Sequence, residues 1–299
     1  MIITVNYSSK KIIEKIKLFL LRKTASNHFD PIIKSKIGKY YLKHRFSHNL
    51  PIFLNSFQNY NINMARITRE VFKKYKDLLI IDIGANIGDS TALIKSYIDV
   101  PILCIEGDDD YIDLLDENTK NLKNVKVKKT ILSDKKGKIG MKILGTGGTS
   151  RLCNSNQLIA TETIDNLLKK HDNFEKAKFV KIDTDGFDGK IIRGGKRYLH
   201  KTKPVLFFEY DPHFLNKNND LGLNVLNDLL KYGYSKALYY DNTGNYICST
   251  SLSNKALLKE LDHSVQNKDG IKYFDICVFS KEDDDLFNTI RSNELSDWT

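Results

Sequence analysis

The stretch L-L-I-I-D-I-G-A-N-I-G-D-S-T, residues 78–91, decides the fold. An apolar strand ends at Asp82, the chain turns through Gly84, Ala85, Asn86 and Gly88, and Asp89, Ser90 and Thr91 open a helix. Glycines in such a turn let a ligand approach the backbone closely. The helix N-terminus offers unpaired N–H groups and partial positive charge to an anionic group. The glycines follow G-x-x-x-G spacing, which is neither the G-x-G-x-x-G dinucleotide fingerprint nor a P-loop. A turn of this kind can also be purely structural, so its neighbours must decide.

Outward from it, short β-rich runs alternate with amphipathic segments: LLIIDI, PILCIE, VKVKKTIL, KFVKID and PVLFFEY. This alternation predicts a parallel sheet with crossover helices, a doubly wound α/β (Rossmann-like) fold. One more helix, LNVLNDLLKYGY, and two strands, near residues 236–240 and 273–279, complete the array as a hairpin-like pair. The polar residues 241–272 read as an insertion between those last two strands. Residues 29–75 are basic, aromatic-rich and mixed in period, with helical character strongest at 64–75, and are read as part of a helical N-terminal lobe spanning 1–75 before a catalytic domain spanning 76–299.

Glu106 ends the second β-rich run, about twenty residues past the glycine turn, where doubly wound nucleotide folds place an acidic residue on ribose hydroxyls. A carboxylate there favours an unphosphorylated ribose, as in S-adenosylmethionine or NAD, over NADP. With S-adenosylmethionine the anionic group at the turn is the amino-acid carboxylate, and Asp82, Gly84, Ala85, Asn86, Gly88, Asp89, Ser90, Thr91 and Glu106 are the expected cofactor residues. Leu132, Ser133 and Asp134 form a polar turn at the same sheet edge, with Ser133 and Asp134 expected beside the adenine.

The run KFVKIDTDGFDGKIIRGG, residues 178–195, delivers Asp183, Asp185 and Asp188 to the strand's carboxyl end. Three carboxylates there point to ligand or divalent-metal contact, while one of them, read as Asp185, caps the following helix. Together, D-I-G-A-N-I-G-D-S-T, K-I-D-T-D-G-F-D with its R-G-G, and T-E-T-I-D at 161–165 resemble the FkbM family of methyltransferases over about residues 76–240. The resemblance implies a class I methyltransferase fold that uses S-adenosylmethionine to methylate hydroxyls, often of sugars or other secondary metabolites. By motif, Asp82, Gly84, Asn86, Gly88 and Glu106 resemble the family's cofactor positions, and Asp183 the acidic residue ending the fourth strand. Gly107 stands where proline is frequent, and Asp185 and Asp188 where glutamates are.

Methyl transfer from a sulfonium needs in-line attack, so alignment of the acceptor dominates and proton removal is secondary. Asp183, Glu209 and His213 lie on or just after strands that end at the predicted cofactor edge, and are the candidate catalytic residues. His213 has the best intrinsic pKa for a base, and the alternative is a loop histidine with no role. Residues 145–152, GTGGTSRL, read as a lid or as a plain surface loop.

Amino methylases of nucleobases carry an Asn/Asp-Pro-Pro-aromatic motif where this chain has Asp183-Thr184-Asp185-Gly186, and an acidic turn repels a phosphate backbone. A nucleic-acid methyltransferase and a non-catalytic binding module are therefore the weaker readings, with an NAD oxidoreductase third. The chain has 299 residues, a formal net charge of +10 and pI near 9.1, supplied mostly by lysine. This balance attracts anionic partners, whether nucleic acid, phospholipid or phosphorylated and nucleotide-linked sugars, without choosing among them, and without arginine clusters it describes a solvated face more than a nucleic-acid site. Four scattered cysteines, with no zinc spacing, fit a reducing cytoplasm. No apolar run reaches the roughly 20 residues of a membrane span. Residues 9–24 place Ile12, Ile13, Ile16, Phe19 and Leu20 among lysines at helical spacing, an amphipathic basic helix suited to packing or to the inner face of an anionic membrane.

Overall fold

A computed structural model describes residues 30–57, 60–171, 173–266 and 270–296. The segment 9–24 lies outside them. The strands in chain order are β1 (Ile32–Ile37), β2 (Tyr40–Arg45), β3 (Ile80–Ile83), β4 (Ile102–Glu106), β5 (Val125–Lys129), β6 (Ile131–Leu132), β7 (Gly137–Thr146), β8 (Thr149–Glu162), β9 (Phe179–Ile182), β10 (Val205–Tyr210), β11 (Tyr234–Asp241), β12 (Tyr246–Ser251) and β13 (Phe274–Ser280). Eight of them form one sheet in the order β12-β11-β13-β10-β9-β3-β4-β5. Neighbours from β5 through β10 run parallel, whereas β13 lies antiparallel to both β10 and β11. The chain winds outward from β3 to β5 and then crosses back to β9. The strand order thus reverses between β3 and β9, which is where open α/β sheets bind ligands.

Both faces of the sheet's middle are covered, and so β3, β4, β9 and β10 are buried on both sides. Ile81, Ile83, Val180 and Ile182 pack into one core layer, while Ile80, Ile102, Cys104 and Phe179 pack into the other. Alternation then places Asp82 and Lys181 on the second face, two residues of opposite charge side by side in an otherwise apolar layer.

The N-terminal lobe is not helical throughout. Residues 32–45 form the antiparallel hairpin β1-β2, whose alternation IIKSKI and YYLKHR has period two; its short length and many charges mask the pattern. The lobe is also not separate from the sheet. The helix Ile62–Lys74 buries Met64, Ile67 and Val71 in the second core layer, and Arg66 pairs with Glu294 of the helix Asp284–Ser296 at 2.7 Å. The hairpin docks through Asn118, which donates to the Lys43 and Ile87 carbonyls and accepts from the Lys43 amide.

Residues 241–272 contain β12, which extends the sheet edge beside β11, and the helix Lys255–Ser264. The expected hairpin-like pair is β11 and β13, which are adjacent and antiparallel. Residues 145–152 are the tip of the long β7-β8 hairpin, turning at Gly147 and Gly148. No helix among the described residues is long and apolar enough to cross a membrane.

Candidate functional site

A cleft of about 1090 Å³, counting space open to solvent, lies over the carboxyl ends of β3, β4 and β9. Its floor is the glycine turn. Gly84 and Asn86 have positive φ, at 71° and 50°, and Gly88, at 90°, precedes the helix Asp89–Tyr97. A Cβ on Gly84 would collide with the backbone oxygen of Asp183, so β3 and β9 approach this closely only with glycine there.

The cofactor residues expected from sequence divide into two groups. Gly84, Asn86, Asp89, Ser90 and Glu106 line the cleft. Asp82, Ala85, Gly88 and Thr91 do not line it and support it from beneath. Asp82 is fully buried, and its Oδ2 accepts from Ser90 Oγ at 2.6 Å and from Thr91 Oγ1 at 2.7 Å, tying the strand end to the first turn of the helix. Glu106 accepts from the amides of Asn86, Gly107 and Asp108 at 2.8, 2.7 and 2.9 Å. Three amides on two oxygens leave lone-pair capacity for a further donor, the arrangement a ribose hydroxyl needs. Burial pushes the Glu106 carboxyl above its usual range against the opposing pull of those amides. Burial likewise raises Asp89 to about 6, with Lys181 working against it.

Ser133 and Asp134 do not line the cleft, and the adjacent Thr130, Ile131 and Leu132 do. Pairing of β6 with β8 turns Ser133 inward: its amide donates to the Glu162 carbonyl, and its hydroxyl donates to Asp134.

Asp183 and Asp185 line the cleft, whereas Asp188, Glu209 and His213 do not. Asp183 keeps a half-exposed side chain there. Asp185 is not the helix cap. The helix begins at Asp188 with Phe187 at the N-cap, and it is Asp188 Oδ2 that accepts from the Gly186 amide and Thr184 Oγ1. Asp185 instead sits at φ 49°, strained for a residue with a side chain, facing Arg151 across 4.0 Å. Burial, reinforced by Asp183, raises Asp185 and Asp188 each to about 7. Burial also drives Glu209 well up, which disfavours the ionised form a base requires. His213 is half-buried in the first turn of the helix Pro212–Lys217, its ring 5.4 Å from Phe214. Among the described residues no cluster of three or more His, Cys, Asp or Glu is arranged to hold a metal ion.

Four side chains outside the expected set complete the wall. Lys181, 5% exposed on β9, lines the cleft and donates to the Gly84 carbonyl at 3.0 Å. His48 and Tyr60 bring the N-terminal segment into the wall. His48 Nδ1 accepts from the Leu50 amide at 3.1 Å, so Nε2 carries the proton toward Asn86 Oδ1 at 3.3 Å. Asn86 Nδ2 in turn donates to the Gly148 carbonyl at 2.7 Å, and the Asn49 amide to that of Gly147 at 2.8 Å. The hairpin tip is thereby fastened over the glycine turn. Arg151 of β8 stacks on Phe214 at 4.4 Å and closes the far side.

Among solved structures, the chain is similar to the FkbM methyltransferase from Methylobacillus flagellatus, at 20% identity and TM-score 0.36 over 54% of this chain and 40% of that one. It thus spans less than half the length of that relative. It is also similar to the precorrin-6y C5,15-methyltransferase from Geobacter metallireducens, at 15% identity and TM-score 0.37 over 69% of this chain and 80% of that one. A SAM-dependent methyltransferase from Aquifex aeolicus shows 10% identity and TM-score 0.36 over 68% and 82%. No curated protein matches. The Methyltransferase FkbM domain matches residues 82–236, more than half of the chain and the segment that builds the cleft from β3 to β11. The chain belongs to the FkbM family of methyltransferases.

Proposed function

We propose that the protein transfers the methyl group of S-adenosylmethionine to a hydroxyl of a sugar, a nucleotide-linked sugar or a cell-envelope glycan. The observation that carries this reading is the cleft at the β3/β9 reversal, with Glu106 lining it at the end of β4 and Asp183 half-exposed beside the glycine turn. The donor group brings a sulfonium-activated methyl. Glu106 holds the ribose hydroxyls, and the turn from Gly84 to Ser90 receives the methionine end.

Asp183 then orients the acceptor hydroxyl and takes its proton as the oxygen attacks. Glu209 and His213 stand outside the cleft lining and act at most through other groups. The hairpin tip, fastened by Asn86, narrows the water path to this centre. Asp89, Asp183 and Asp185 line the cleft even though the whole chain is basic, so the hydroxyl-bearing part of the acceptor that enters it is uncharged, and any phosphate of a nucleotide-linked sugar stays outside. In the same reading the enzyme works in the cytoplasm.

The test is transfer of labelled methyl from the cofactor to a panel of nucleotide sugars and cell-envelope glycans, with RNA as control. Labelled glycans are expected. Labelled RNA with unlabelled glycans overturns the reading.

A further inference from the structure

Lysine is almost never fully buried unless its charge is matched. Lys181 occupies the middle of the sheet, on a strand whose other residues, Phe179, Val180 and Ile182, are all buried and apolar. Two features of the fold determine its partners. Asp82 is its register partner on the adjacent parallel strand β3, so both side chains leave the same face side by side. Asp183 follows two residues later and returns to that face at the strand end. The ammonium lies 3.3 Å from Asp82 Oδ1, 3.4 Å from Asp183 Oδ2 and 3.0 Å from the Gly84 carbonyl. The Gly84 carbonyl takes a hydrogen bond from it, and the two carboxylates are its ion-pair partners. Buried between these groups, Lys181 acts on the cleft through Asp183, which makes it a positioning residue.

The Asp82 carboxylate is spent within the fold on Lys181, Ser90 and Thr91. Asp183 is different. Its Oδ2 is held by Lys181, and its other oxygen is left for the cleft that it lines. The group carries two formal negative charges against one positive, and Asp89, also lining the cleft, adds to the excess. Methyl transfer removes one positive charge from the donor, because a sulfonium becomes a neutral thioether. A fixed negative excess at that point must therefore distinguish the two forms.

We propose that the Asp82–Lys181–Asp183 group is a charge selector, which favours the cationic methyl donor over its neutral product, with Lys181 holding Asp183 in position. This rests on the methyltransferase reading above. It goes further in assigning product discrimination to an ion pair on β9.

The test measures Kd for S-adenosylmethionine and for S-adenosylhomocysteine by calorimetry on the full chain and its variants, and needs no acceptor. Asp183→Asn removes the negative charge and should cut the preference for the donor at least fivefold while leaving product affinity within twofold. Lys181→Met removes the opposing charge and should widen the preference at least threefold, and Lys181→Arg should leave it within twofold of the unmodified chain. Should Lys181→Met not fold, Asp183→Asn decides alone, since its half-exposed side chain tolerates the change. A donor-to-product ratio unchanged within twofold in Asp183→Asn overturns the proposal and reduces the ion pair to a structural one. An unmodified chain that binds neither ligand overturns the cofactor reading as well, so the two failures are told apart.

Discussion

Replacement of Glu106 by glutamine tests both the stability of the cleft floor and its affinity for ribose. The carboxylate accepts from the amides of Asn86, Gly107 and Asp108. A carboxamide keeps one oxygen, which can retain the Gly107 and Asp108 bonds on Oε1. Its NH2 then faces the Asn86 amide, donor against donor, and the glycine turn loses its tie to β4. One charge-assisted bond lost, with a buried amide orphaned, costs about 1.5 to 3 kcal/mol. Burial already disfavours the Glu106 anion, so removing the charge recovers part of this and the folding loss should settle near 1 to 2 kcal/mol. Binding has no such offset, since the ribose hydroxyls lose a charged acceptor. The expected penalty is about 1.5 to 3 kcal/mol, or roughly 10- to 150-fold in Kd. Urea unfolding reads the first quantity and calorimetric titration with S-adenosylhomocysteine the second. Unchanged affinity in a folded Glu106→Gln protein would mean that the ribose sits elsewhere.

Asp89, raised to about 6, and Asp185 and Asp188, each raised to about 7, hold protons in the folded chain that the unfolded chain releases near its ordinary value of 3.8. Stability therefore falls as pH rises between about 4 and 7, by a ceiling of about 3 kcal/mol from Asp89 alone, and thermal melts of the cofactor-free protein should move upward from pH 8 to pH 6. A flat profile would show these carboxyls to be better solvated than their burial implies. Gly84→Ala combines a φ of 71° with a Cβ placed against the Asp183 backbone oxygen, and should lose about 3 kcal/mol or more, read as a drop in melting temperature together with loss of cofactor binding. His48→Ala removes the contacts to Asn86 and the Leu50 amide, at about 1 to 2 kcal/mol, and should speed hydrogen exchange at Asn49. Exchange at the unaltered rate would show that the hairpin is held by other contacts.

Local pattern and pairwise spacing suffice for much of this protein. The β-rich runs before Asp82, Glu106 and Asp183 are legible because strands buried on both faces must be continuous and apolar, and the glycine turn because a left-handed backbone without a side chain is needed where β3 meets β9. The family follows from the same residues. Lys181 was visible as a charge inside an apolar run, two residues before Asp183, but its meaning required the register that sets it beside Asp82. The acidic cleft on a basic chain was invisible in net charge, which sums over the surface and not over a site.

Tertiary structure alone decided the rest. His48 reaches Asn86 from 38 residues away and Asn86 reaches Gly148 across 62, so no local periodicity records either contact. The break at residue 75 read from sequence follows a change in pattern, yet the helix Ile62–Lys74 buries Met64, Ile67 and Val71 against the sheet, because an amphipathic face does not say which surface it covers. Asp185 resembled a cap because aspartate beside glycine suits one. The chain begins its helix three residues later, at Asp188, where the carboxylate meets the turn amides, and this leaves Asp185 strained at the cleft. Glu209 and His213 occupy suitable positions along the strand edge, but position along a strand does not fix depth, and burial draws Glu209 out of reach of the cleft. Spacing along the chain specifies which residues share a strand or a turn. Only the packing of distant segments specifies which of their side chains meet, and how much water each keeps.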